Sequence, residues 1–382
     1  MRKWTPFVWL FICGFLVACQ SFKKNGDKPL DSGKIMSAPI EQSVINQIVK
    51  EQKKAQAALD IPIRTLDTSA SLQKVGFASC LDQDVPAPIL KPMRAENFDL
   101  LLMMGDNVYA TRPESQVIAD QYKKLLKIED FAELRAHIPM MATWDDHDYG
   151  LGDGGAENPN KEMARRDFLN FWPYVKNSLS KNQQALYHSK IFGPTHRDVQ
   201  IIMLDTRWDR SALIENPNKE EKRQRYIPNT DKKAHMLSET QWKWLESELR
   251  KPARLRFIVS SIQLIANAEG FEKWGQFPHE RERFFELVKK TNPKNLYILS
   301  GDRHMASLAK TEIKSWGPLY DITSSSLNKS KDVVGEDPDY IEPTFSGENY
   351  GVALIDWRTN KISFQIKDNQ GKAVKNLELK FK

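Results

Sequence analysis

The chain has 382 residues, 40% of them hydrophobic and 28% charged, an ordinary globular composition with length for one large domain or two small ones. Its formal net charge of +6 is too mild to argue for a nucleic-acid binder or for a protein drawn to anionic membranes by charge.

The first predicted element is a targeting segment. Arg2 and Lys3 precede an apolar run, Phe7–Val17, and Leu16–Val–Ala–Cys19 follows. A charged start, a short apolar core and a small residue before the cut describe a secretory signal over 1–18, and the run is short for a membrane-spanning helix. The order of leucine, small residue and cysteine resembles a bacterial lipobox, which implies a lipidated Cys19 and an exported, membrane-anchored lipoprotein. Cys80 is then the one thiol left, so no intramolecular disulfide is expected. It is either buried packing or a metal ligand. Residues 19–68 read as a tether with one amphipathic helical stretch through Ile40, Val44, Ile45, Ile48 and Val49.

From residue 69 to 382 the chain reads as one catalytic domain. Short apolar runs recur, and each ends in a polar residue. Val75–Ala78 ends in Ser79–Cys80, Phe98–Met104 in Gly105–Asp106, and Ile138–Ala142 in Asp145–Asp146–His147. Val199–Leu204 ends in Asp205–Thr206–Arg207, Arg256–Val259 in Ser260–Ser261, and Asn295–Leu299 in Ser300–Gly301–Asp302. Runs of this length read as strands buried on both faces, as in sheets covered by helices. Such α/β sheets place ligands beyond the carboxyl ends of their strands. Helical spacing spans Glu114–Leu126 and Glu280–Lys290, and Ser238 with Gln241 forms a capping box before Trp242, Leu245 and Leu249. The segment 216–233 is charged, contains Pro217 and Pro228, and reads as an exposed loop. Gly351–Trp357, Ile362–Ile366 and Ala373–Val374 alternate like antiparallel strands and are expected to complete a second sheet.

The strand ends collect Cys80, Asp82, Asp106, Tyr109, Asp145, Asp146, His147, Asp148, Asp153, Asp302 and His304. So many acids converging without cations would repel one another and raise each other's pKa. Carboxylates suit hard ions such as Ca²⁺, Mg²⁺ or Fe³⁺, whereas thiolate and phenolate favour a redox-active transition metal such as iron. The mixed set implies at least two ions, which together can clamp a phosphoryl group and activate a water. Arg207 is either a phosphate contact, since guanidinium matches phosphate oxygens bidentately, or a structural salt bridge.

Phe77–Ala–Ser–Cys80, Gly105–Asp–Asn–Val–Tyr109, Thr143–Trp–Asp–Asp–His–Asp–Tyr149, Leu204–Asp–Thr–Arg207, Met236–Leu245, Trp274 with Phe277–Pro278, and Ser300–Gly–Asp–Arg–His304 resemble the motifs of the PhoD-like (alkaline phosphatase D) branch of the calcineurin-like metallophosphoesterases. The resemblance extends from about Phe77 to Asp356. It implies a four-layer α/β/β/α sandwich with two mixed sheets, a site of Fe³⁺ with Ca²⁺, and hydrolysis of phosphate monoesters or diesters. It further implies that Cys80 and Tyr109 bind iron, that Asp106 bridges metals, and that Asp145, Asp146, Asp302 and His304 complete the ligand set. His147 would face the phosphate. The superfamily's opening Asp–x–His is replaced by Cys80–Leu–Asp82. Where relatives often carry an asparagine ligand after the histidine, Gly150–Leu–Gly152–Asp153 stands, so Asp153 is expected to take that place. Two alternatives stay open: a phosphodiesterase directed at lipid or nucleic acid, and a non-catalytic metal-binding surface lipoprotein.

Overall fold

Each of the six apolar runs becomes a strand whose side chains alternate between two cores, as a period of two requires. In β1 (Lys74–Ala78) and β2 (Leu100–Met104), Val75, Phe77, Leu100, Leu102 and Met104 point to one side, while Ala78, Leu101 and Met103 point to the other. The computed structural model describes residues 63–111, 117–218, 220, 223–330 and 335–382. The signal, Cys19 and the amphipathic stretch of the tether therefore lie outside the described residues.

The remaining strands are β3 (Met140–Thr143), β4 (His188–Phe192), β5 (Val199–Met203), β6 (Ile214–Glu215), β7 (Tyr226–Ile227), β8 (Leu255–Ser260), β9 (Leu296–Ser300), β10 (Ala306–Ile313), β11 (Gly317–Ser324), β12 (Tyr350–Asp356), β13 (Lys361–Lys367) and β14 (Ala373–Lys380). They form two six-stranded sheets, β14-β13-β12-β1-β2-β3 and β10-β11-β9-β8-β5-β4, and a small β6–β7 ribbon. Both large sheets are mixed. The first has parallel β1, β2 and β3 with antiparallel β12–β14. The second has parallel β5, β8, β9 and β11 with antiparallel edges β4 and β10.

The inner faces of the two sheets meet in one apolar core, where Phe77 and Leu102 share a cluster with Ile201, Phe257, Leu299 and Phe364. The outer face of the first sheet is covered by α1 (Leu90–Ala95), α2 (Ile118–Leu125), α3 (Glu129–His137), α4 (Asp146–Tyr149), α5 (Lys161–Phe171) and α6 (Pro173–Ser178). The outer face of the second is covered by α7 (Glu239–Leu249) and α8 (Pro278–Thr291). This is the four-layer α/β/β/α sandwich that the resemblance implied. Each fully buried Leu, Ile or Phe in such a core contributes about 1.5–3 kcal/mol, so the sheets can hold strained backbone at their ends.

Three expectations are corrected. The C-terminal strands do not build a second sheet. They extend the first, because β12 pairs antiparallel with β1, Phe77 opposite Gly351. The capping box at Ser238 is half made. Ser238 Oγ accepts from Gln241 N at 3.4 Å, but the Gln241 amide is committed to the Asp205 backbone, donating to its carbonyl and accepting from its N–H, each at 2.9 Å. It pins the end of β5 instead of closing the cap. The segment 216–233 is not wholly exposed: β6 precedes it and pairs with β7 inside it, Asn216 and Asn229 are buried, and Tyr226 reaches the candidate site.

Candidate metal centre

The parallel strands β1, β2, β3, β8 and β9 all deliver their carboxyl ends to one crevice between the sheets. Backbone bonds lock the ends together: Cys80 N donates to Gly105 O at 3.3 Å, and Gly301 N to Ser261 O at 3.0 Å. Both glycines are demanded by this crowding. A Cβ on Gly105, whose φ is +108°, would lie 2.6 Å from the Asp145 Cβ, and one on Gly301 would lie 2.6 Å from Ser79 Oγ. Five candidate ligands hold left-handed backbone, with φ of 61° at Cys80, 51° at Asp106, 49° at Asp153, 68° at Asp302 and 56° at His304. Asp and His tolerate this region better than most side chains, but five such residues in one site concentrate strain where a function would use it.

The first donor group is chemically mixed. Cys80 Sγ lies 3.5 Å from Asp106 Oδ2, and the Tyr109 hydroxyl lies 3.3 Å from the same oxygen and 2.9 Å from His304 Nε2. Ser325 supports it from β11's end, its Oγ 3.2 Å from Cys80 Sγ and accepting from His304 N at 2.9 Å. The second group joins Asp106, Asp146 and His147, the third Asp145, Asp146 and Asp302, and the fourth Asp153, Glu272 and Asp302. Within each group one donor atom per residue lies within 4.8 Å of the others, as it does for Cys80, Asp106 and His304. Asp106, Asp146 and Asp302 each belong to two groups, so they stand where bridging ligands would.

These groups fit bound cations. Asp145 Oδ2 and Asp146 Oδ1 are buried with no hydrogen-bond partner, and a buried carboxylate oxygen without a donor needs another positive neighbour. The electrostatics agree. Burial pushes the Cys80 thiol up to about 11, against the hydroxyls of Ser325 and Ser79. Burial also lifts Asp302 to about 7, with Arg303 opposing and the nearby acids adding to it. Asp106 and Asp145 rise for the same reason, each reinforced by neighbouring acids although Arg207 opposes the rise at Asp145. Asp146 is the exception at about 2: burial is outweighed by His147, Arg207 and the Asp153 N–H. A dry pocket cannot keep all these groups ionised by itself; cations remove the conflict.

The stretch Asp145–Asp–His–Asp148 divides its labour. Asp145 and Asp146 face the crevice. Asp148 turns back, accepting from Asp145 N at 2.5 Å and Asn107 N at 2.9 Å, which fixes the short α4 and the turn after β2. His147 projects from α4 with its backbone N–H on Asp106 Oδ1 at 3.2 Å. Asp153 stands beside Glu272 and Asp302 and is also held from outside: its Oδ2 accepts from Tyr226 at 2.7 Å and pairs with Arg225 at 2.6 Å. Asp82 does not join the donors; its carboxylate pairs with Lys329 at 3.4 Å and accepts from Asp84 N at 3.1 Å, while its backbone N–H donates to Asn328 Oδ1.

Arg207 is the residue whose role the structure decides. It is fully buried, with Nε donating to Asp145 Oδ1 at 2.7 Å, NH1 to Glu272 Oε1 at 2.8 Å and to Gly154 O at 3.2 Å. This is the salt-bridge alternative. In this arrangement the guanidinium is out of solvent and held by the Asp145 and Glu272 carboxylates. Sequence reasoning missed Glu272 and Arg210, whose ion pair at 3.2 Å extends this network. Neither follows a strand, so no spacing marks them. It also missed Ser261, which donates to Asp145 Oδ1 at 2.6 Å, although its place after β8 was visible.

The fold is similar to that of several solved structures. A structure of PhoD superposes with a TM-score of 0.65 at 17% identity, covering 82% of this chain and 73% of that one. The purple acid phosphatase PPD1 from yellow lupin (Lupinus luteus) seeds gives 0.54 at 12% identity, over 82% of this chain and 55% of that one. GAP50 of Plasmodium, the anchor in the inner membrane complex, gives 0.51 at 14%, over 82% and 90%. No curated protein matches the chain. The family model described as PhoD-like phosphatase matches residues 76–372, which contain every donor of the crevice, and the chain therefore belongs to the PhoD-like phosphatases, a family of metallophosphoesterases.

Proposed function

We propose that the protein is an exported, lipid-anchored hydrolase of phosphate monoesters or diesters, with Fe³⁺ and Ca²⁺ at its centre. The observation that carries the metal assignment is the meeting of a thiol, a phenol, a carboxylate and an imidazole around Asp106 Oδ2 and His304 Nε2. Thiolate and phenolate donors suit iron, and the purely carboxylate groups around Asp145, Asp146, Asp153, Glu272 and Asp302 suit Ca²⁺ or Mg²⁺. Bound there, the cations would supply Lewis-acid polarisation of the phosphoryl oxygens.

The chain's own residues do the rest. Asp106 and Asp146 fix the spacing between donor groups, and Arg207 with Glu272 holds Asp145 in place. His147 stands at the solvent side of the centre, partly exposed, where its ring can stabilise charge on a phosphoryl oxygen or give a proton to the leaving oxygen as the P–O bond breaks. Export and anchoring rest on the order Leu16–Val–Ala–Cys19 after a short apolar run.

A panel of chromogenic and natural monoesters and diesters, assayed with defined Fe³⁺, Ca²⁺ and Mg²⁺, tests the reading. Turnover that requires added or retained metal, with one ester class preferred, is the expected result. No turnover of any ester in any metal condition would sink it.

A further inference from the structure

Beside the metal centre, a hydroxyl holds the imidazole proposed to face the leaving group. Thr111 Oγ1 lies 2.5 Å from His147 Nδ1, a hydroxyl partner for the ring nitrogen. The contact belongs to a wider clamp between the turn after β2 and the short helix α4. Ala110 N donates to His147 O at 3.2 Å, and Asn107 binds Asp148 and the Thr143 carbonyl. The Tyr109 ring packs on the imidazole with centroids 4.0 Å apart and planes 33° apart. One face and one nitrogen of His147 are thus fixed, and Nε2 is the ring nitrogen outside this clamp.

We infer that Thr111 is a positioning residue: it sets the ring orientation of His147, so that Nε2 points at the ester's leaving oxygen. The inference rests on the functional reading of His147 given above. A hydroxyl both accepts and donates. It accepts from Nδ1–H while Nε2 gives up its proton, and it donates to Nδ1 when the neutral ring carries its proton on Nε2. One neutral partner therefore serves both states, without adding another negative charge to a crowded acidic centre. Thr111 touches the ring and not the phosphate, so its loss should change turnover and leave binding alone.

The test compares Thr111→Val, Thr111→Ser and His147→Ala on phenyl phosphate, whose leaving group needs a proton, and p-nitrophenyl phosphate, which needs one less. Thr111→Val should lower kcat on phenyl phosphate about tenfold or more with KM unchanged, and should cost clearly less on p-nitrophenyl phosphate. Thr111→Ser should restore most of the loss. Elemental analysis should find the same bound metal in wild type and both Thr111 variants. In the Thr111→Val/His147→Ala double variant, the threonine change should add nothing to the histidine loss, because the two act as one unit. Thr111→Val with wild-type kcat on phenyl phosphate overturns the inference. So does an equal loss on both esters, a serine variant as poor as valine, or metal content that falls with the threonine. If His147→Ala itself leaves kcat unchanged, the reading of His147 fails first, and that result is distinct from failure of Thr111 alone.

Discussion

Arg207 illustrates how one buried charge organises others. Its guanidinium lies within 2.5 Å of Asp145 Oδ1 and 2.7 Å of Glu272 Oε2, with all three side chains out of solvent. Burial by itself would depress the arginine, yet the carboxylates Asp145 and Glu272 hold it well above its ordinary value. Removing one partner from such a network leaves an uncompensated buried charge, at a cost of about 3–5 kcal/mol. Arg207→Met should therefore lower thermal stability by that order and reduce bound metal, because Asp145 loses its anchor. Unchanged melting in denaturant and unchanged metal content would show that the network contributes nothing to either. The residue's chemistry was legible in the sequence as a choice between two roles, phosphate contact or salt bridge. Its partner Glu272 was not, because a lone glutamate in a loop carries no periodic signal and reaches Arg207 only through the fold.

At the scale of elements, strand ends were the readable feature. All six apolar runs form strands, since continuous apolar stretches bounded by polar residues have few other ways to be buried. Pairing was harder to read: the alternation of β12–β14 marks antiparallel strands without saying which sheet they extend. The edge strand β4 went unread altogether. Its run His188–Ser–Lys–Ile–Phe192 is half polar, and only pairing with β5 makes it a strand. That strand carries a pH-dependent element. His188 is fully enclosed, with Nδ1 donating to Leu186 O at 2.7 Å and Nε2 unpartnered. Burial pushes it down to about 4 from an ordinary 6.5, with the Leu186 carbonyl opposing and Lys190 assisting. Above that ordinary value neither state binds the proton, so stability is at its full level. As pH falls from about 6.5 to 4, the unfolded chain gains a proton that the native chain refuses, and stability drops by on the order of 3 kcal/mol. Denaturant unfolding of wild type and His188→Gln across this window should show the variant losing less. Parallel curves would show that His188 does not couple to folding.

For the whole molecule, two packed sheets form a stable base whose strand ends converge on one crevice, and the family match covers residues 76–372. If Cys19 carries lipid, the chain arrives at the membrane through its tether and not through surface charge. Cys19→Ser should then leave a folded, active protein in the soluble fraction after washing, because the acyl chains supply the affinity. Equal membrane recovery of variant and wild type contradicts the anchor. The central claim is that the mixed group of Cys80, Asp106, Tyr109 and His304 holds the metal on which hydrolysis depends. Iron content and p-nitrophenyl phosphate turnover, measured on the same samples of wild type and Cys80→Ser, test it most directly. Bound iron is expected in the wild type, with a parallel fall of iron and turnover in the variant, since a hydroxyl is a poor substitute for a thiolate. An iron-free wild type with full turnover, or a Cys80→Ser protein that keeps its turnover after losing its iron, would contradict it.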